Sequence, residues 1–227
     1  MSNSNLVIDK MDELLADWEA NNDQRRIFLG CYKMMTRNML DALQAKDFED
    51  VNWVAALLDH FADYYFRALQ TYEQNEINTP IVWQYAFAAS KGVKTHVLQN
   101  LVLGVNAHIN YDLIFAIYDV LLPEWDRLSE KQRQMRYRDH CHVNDIIYKT
   151  IDQVQDEIID RFEPEFGLVD KLLGPLDEWV TIWIVSDWRE EVWKHATHLL
   201  ELPENTARLT YCQELEQFSK KRAQSIL

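Results

Sequence analysis

The 227-residue chain is short of glycine and proline, with only five of each. Folds built from strands and tight turns need these residues at their corners, so their scarcity points to an all-α protein. Cysteine is also sparse. Cys31, Cys141 and Cys212 are far apart and form no CxxC pair, which fits reduced thiols and excludes a disulfide framework. Basic residues are outnumbered 23 to 37 by acids, for a formal charge of −14. That balance argues against a nucleic-acid partner and against an anionic-membrane patch, since both need a basic face. The amino terminus, MSNSNLVIDKMDELLADWE, has no basic segment followed by a long apolar run. No window reads as an uninterrupted membrane span, so a cytoplasmic protein without membrane insertion is expected. A Gly-rich phosphate loop, a nucleophile elbow and an HExxH motif are all missing, which removes several common enzyme classes.

What the chain does have is packing material. Hydrophobic residues make up 48% of it, including eight tryptophans, ten tyrosines and nine phenylalanines, enough for helices to pack on one another as a single domain over 1–227. About seven or eight helices are expected in a bundle. The first covers 4–19, and "EANNDQRR" breaks it before a second whose inner face holds Ile27, Phe28, Tyr32, Met35 and Met39. A third starts near Asp50, with Trp53, Leu57, Phe61, Tyr64, Tyr65 and Ala68 at helical spacing. "NTPIVW" opens a fourth, with Thr79 as expected cap and Pro80 at the first position. The fifth, near 95–121, is apolar almost all round and should be central. Ser129 caps a long sixth helix reaching about Phe162, the Gly- and Pro-containing stretch 163–179 reads as a loop or broken helix, a Trp-rich seventh runs over about 177–200, and an eighth follows Pro203.

The central helix carries an anomaly. "GVNAHINYDL", residues 104–113, places two asparagines, a histidine and an aspartate in an otherwise apolar run. Buried polar side chains need partners or a ligand. His108 and Asp112, four apart, share one face, with Asp119 near the same line; Asn106 and Asn110 pair on the far side, so the motif addresses two neighbours. A second polar group lies in "RYRDHCHVNDIIYKT", where Asp139, His140 and Asn144 fall on the inner face and His142 and Asp145 toward solvent. A third is "LDHFADYYFRAL", where His60 and Tyr64 stack beside the apolar stripe. If three helices converge, His60, His108, Asp112 and Asp139 or His140 form a mixed nitrogen and oxygen set suited to zinc, iron or manganese. The bland alternative is a network of buried hydrogen bonds across helices. Among the Trp-rich residues, Trp179, Trp183, Trp188 and Trp193 read as packing, Arg189 as a salt-bridge partner for an inner carboxylate, and His195 and His198 as exposed histidines at a helix end.

"LGVNAHINYDL" resembles the signature of a bacterial family, domain of unknown function 5995. "YKMMT" at 32–36, "HFADYYFRAL" at 60–69, "WQYAF" at 83–87, "DHCHVN" at 139–144 and "WREEVW" at 188–193 are similar to its other segments, in order, so the resemblance spans most of the chain. It implies a helical fold and a polar set of Asn106, His108, Asn110, Asp112, Asp139 and Asn144. It does not add His60 or His140, and it implies no established activity.

Two functions follow. One is a metal-dependent hydrolase, with His108, Asp112, Asp139 and His60 or His140 as ligands to a divalent transition metal and Asn106 or Asn110 positioning the substrate. The other is a non-catalytic helical module that binds a small molecule or a second copy of itself, in which the motif is a structural network. An iron oxygenase is disfavoured, because the Glu-x-x-His repeats of di-iron bundles are absent.

Overall fold

The computed structural model describes residues 3–75, 77–91, 95–154, 157 and 176–226. Among these are eight helices and no strand. They are α1 (Asn3–Ala20), α2 (Arg25–Ala45), α3 (Val51–Glu73), α4 (Ile81–Ser90), α5 (Val97–Leu121), α6 (Glu130–Val154), α7 (Leu176–Glu201) and α8 (Asn205–Ile226). The expected loop or broken helix over 163–179 lies outside the described residues as far as 175, and from Leu176 on it is corrected, since these residues already belong to α7; the expected continuation of α6 to Phe162 lies outside the described residues as well.

Helix ends follow local chemistry. Asp23 accepts from the Arg25 N–H at 2.9 Å, and Asp50 caps α3 by accepting from the Trp53 N–H at 2.9 Å. Ser129 and Gln132 form a reciprocal box at the start of α6, with the Ser129 N–H donating to Gln132 Oε1 at 2.9 Å and the Gln132 N–H to Ser129 Oγ at 3.4 Å. At α4 the expectation of a Thr79 cap is corrected. Pro80 occupies the cap position, and Glu216 of α8 accepts from the Ile81 N–H at 2.8 Å. With so little glycine, Asn22, Lys46 and Asn75 take the left-handed turn positions, at φ 53°, 60° and 54°.

Helix α5 is the axis, packed on α2, α3, α4, α7 and α8. By length and composition alone it would serve as a membrane span, which corrects the expectation that no window does so. The qualifying stretch is 67% buried inside the protein, as befits a core helix. Apolar residues gather in two clusters, one around Trp18, Phe28, Tyr65, Trp83 and Leu103, the other around Trp53, Leu57, Ile114, Ile117 and Trp193. Phe61 packs against both. Between them α5 widens into a π-turn over His108–Asp112, where the Leu113 N–H reaches back to the His108 carbonyl. The polar motif therefore occupies the seam between two apolar cores.

Gly104 lets α2 and α5 approach closely. A Cβ built there would lie 2.4 Å from two Phe28 ring carbons and 2.8 Å from Phe28 Cβ, and the Phe28 ring is hemmed in by Tyr65 and Trp83. Alanine would gain about 1 kcal/mol of helix propensity, but overpacking of a close-packed core costs about 1–3 kcal/mol. Gly104→Ala is expected to destabilise the fold, read as a lower urea midpoint at unchanged slope.

Candidate functional site

On one side of α5, His108 Nδ1 lies 3.0 Å from Asp112 Oδ2, and the Trp83 indole N–H from α4 donates to both Asp112 oxygens at 3.1 and 3.0 Å. The imidazole is stacked on Phe61, centroids 3.5 Å apart and planes within 6°, with Tyr32 edge-on at 4.4 Å. Its Nε2 is buried and meets no hydrogen-bond partner. Burial pushes the His108 imidazole well below its ordinary range and the Asp112 carboxyl well above its own, the latter partly offset by the Trp83 hydrogen bond. Both shifts favour an uncharged pair.

On the opposite side, Asn110 Nδ2 donates to Asn106 Oδ1 at 3.0 Å, Asn106 Nδ2 to the Ser219 carbonyl at 3.1 Å, and Ser219 Oγ to the Asn110 carbonyl at 2.9 Å. Arg222 then spans Asn110 Oδ1 at 2.8 Å and Glu191 at 2.7 Å. This closed ring stitches α5 to α8, and Arg222 extends it to α7. It is the two-sided arrangement that the spacing of the motif implies.

The second polar group divides in two. Each oxygen of Asp139 accepts a backbone N–H at the start of α3, from Glu49 and Asp50, at 2.8 Å. Nearby, Arg136 binds Asp50 and Glu124, so α6 is tied to the head of α3. His140 and Arg189 clasp α6 to α7. Arg189 Nη2 donates to the His140 carbonyl at 2.7 Å, while His140 Nε2 lies 3.0 Å from the Arg189 carbonyl. A carbonyl only accepts, so His140 carries its proton on Nε2, and Nδ1 faces Arg189 Nη2 at 3.3 Å as acceptor. Burial first, and Arg189 second, hold this imidazole well below its usual range. Arg189 Nε donates to Asn144 at 2.8 Å. The expected salt bridge to an inner carboxylate is corrected: among the described residues no carboxylate pairs with Arg189.

His60 is not beside these groups. It is about half exposed, 4.0 Å from Asp119, which accepts from the Tyr64 hydroxyl at 2.8 Å. Asp119 faces Tyr64 and His60 of α3 and does not join the His108–Asp112 pair. The expected metal set of His60, His108, Asp112, Asp139 and His140 therefore does not converge. Among the described residues no three His, Cys, Asp or Glu side chains stand together as a metal requires. The Asp139 oxygens and the His140 nitrogens already have partners in the protein. His195, expected to be exposed, is half-buried with Nδ1 2.6 Å from the Tyr211 hydroxyl; His198 is exposed as expected. Trp193 packs against Trp53 and His140, while the side chains of Trp179 and Trp183 lie outside the described residues.

Between α2, α3, α5, α6 and α7 is a cavity of about 200 Å³. Its walls are aliphatic and aromatic, from residues such as Met35, Leu57, Phe61, Val143 and Ile147, and its polar lining includes His108, Asp139, His140 and Arg189. Residues 5–227 match the model of a family of unknown function, DUF5995. The chain belongs to that family. No curated protein and no solved structure matches it. In this DUF5995 protein, sequence reasoning missed Trp83, Ser219 and Arg222, the partners of the motif. A polar residue's partner on a distant helix leaves no periodic trace, although WQYAF and LGVNAHINYDL both belong to the resemblance.

Two outcomes follow. Asp139→Ala removes the acceptor of two buried N–H groups and should destabilise by about 2–5 kcal/mol, whereas Asp145→Asn, on the exposed face, should stay within about 0.5 kcal/mol; urea unfolding of both variants measures this. The lowered His140 value means that the unfolded chain binds a proton near pH 6.5 that the fold refuses, so this contribution to stability falls as pH drops through 6.5. His108 acts in the same direction, and the raised Asp112 opposes it. NMR should show the His108 and His140 rings still neutral at pH 5.5; a midpoint near 6.5 for either would contradict their burial.

Proposed function

We propose that the protein is a non-catalytic binding module for a small, largely apolar molecule, held in the cavity against His108. The carrying observation is the cavity itself, about 200 Å³ with almost wholly apolar walls. An apolar cavity of about 150 Å³ stays dry and takes up benzene, so this one has room for a single ring or a short chain. The unpartnered Nε2 of His108 supports a ligand with one hydrogen-bonding group, since a buried polar atom without a partner is costly. The polar motif then has two jobs: its asparagine face holds helices together, and its histidine face borders the ligand.

The metal-dependent hydrolase is the weaker reading. It needs a third ligand beside His108 and Asp112, and the other proposed donors are engaged elsewhere. Near-stoichiometric zinc, iron or manganese in protein purified without chelator, lost in His108→Ala, would revive it.

The test of the binding reading is ligand-dependent stability. Toluene or hexanol at about 100 times Kd adds about 2.7 kcal/mol to a one-site binder, roughly 5–10 °C in Tm for a chain of this size. Val143→Phe, which fills the cavity from α6, should abolish the shift while the variant remains folded. Absence of any shift in the wild-type protein across such probes would overturn the reading.

A further inference from the structure

Arg189 is 3% exposed, lines the cavity and has no carboxylate partner among the described residues. Its Nε and Nη2 are used by Asn144 and His140, both uncharged partners, which leaves Nη1 without a hydrogen bond to any described residue. Burial pulls the guanidinium down only to about 10, so it carries its charge at neutral pH. Buried charges are normally paired. Asp139, the carboxylate on the same cavity, is engaged with two backbone N–H groups at the head of α3 and makes no ion pair with Arg189.

Resting on the reading of the cavity as a binding site, we propose that its ligand is a small carboxylic acid, bound as the anion with its carboxylate on Arg189 Nη1 and its apolar body against the aliphatic and aromatic walls. The charge count favours this class. A cation with no carboxylate partner among the described residues neutralises one monoanion, and the free guanidinium nitrogen offers a charge-assisted N–H bond to a carboxylate oxygen. A phosphate would bring up to two charges and a demand for several donors into walls that are almost entirely apolar. The volume limits the body to a ring or a chain of a few carbons, so hexanoate and benzoate stand for the aliphatic and the aromatic acid.

The experiment is calorimetric titration of the full-length protein with hexanoate and benzoate and with their neutral counterparts, hexanol and benzyl alcohol. The wild-type protein should bind at least one acid ten or more times tighter than its alcohol, and which acid wins tells a fatty from an aromatic source. Arg189→Gln, which keeps a side-chain amide beside Asn144 and His140, should lose that preference yet still bind the alcohol. Equal affinity for acid and alcohol in the wild-type protein overturns the carboxylate and leaves the cavity reading intact. Binding of neither overturns both. Should Arg189→Gln fail to fold, the wild-type ratio decides alone, and a carbon-13 label on the bound carboxyl reports whether it is ionised.

Discussion

A helix buried along most of its length and flanked by five others cannot discharge its polarity into water. Buried polar side chains on α5 need partners inside the protein, and much of the bundle is arranged around that requirement. Trp83 anchors α4 to Asp112, Ser219 and Arg222 anchor α8 to Asn106 and Asn110, and Phe61 of α3 covers the His108 ring. Purely apolar contacts would hold these helices as strongly but would tolerate slippage along the axis. Directional bonds at one level of α5 fix the register of α4 and α8, and a ring stack seats α3 at the same level.

The π-turn makes this possible. It places His108 and Asp112 in contact on one face and Asn106 and Asn110 on the other, and the Asn110 carbonyl within the turn takes the Ser219 hydroxyl. The apolar clusters divide at the same level, Ala107 belonging to one and Leu113 to the other. A second tie, independent of α5, sits at the head of α3, where Asp139 and Arg136 hold α6 through Glu49, Asp50 and Glu124.

The fold was legible in the sequence because it is written in periodicity and in caps. Trp53, Leu57 and Tyr65 mark the inner stripe of α3, Asp50 and Ser129 start their helices as their chemistry dictates, and the faces assigned to Asp139, His140 and Asp145 are those observed. The two sides of the central motif were legible for the same reason. His60 was not: spacing places a residue on a face, and at the edge of an apolar stripe a small rotation decides between core and solvent. Nor was the pairing of Arg189, because charge complementarity in the sequence suggests a carboxylate, while the fold supplies an amide, a carbonyl and a neutral imidazole. The left-handed Lys46 had no signal, since glycine usually takes that place.

A network whose sole task was register would be closed, with every donor and acceptor matched. The asparagine side of α5 meets that standard, and the Asp139 cap does as well. His108 Nε2 does not, and Arg189, whose Nη1 makes no hydrogen bond to a described residue, borders the same cavity. Leaving a buried polar group unsatisfied costs about 1–3 kcal/mol, more for a charged one, against a total stability of about 5–15 kcal/mol for a typical domain. His108 Nε2, Tyr32 Oη and Trp53 Nε1 are all buried without a partner and all belong to residues that line one void, which a molecule that completes them accounts for better than packing does. The same reasoning separates the two faces of α5 in function: the closed face serves the fold, and the open face serves what the cavity holds.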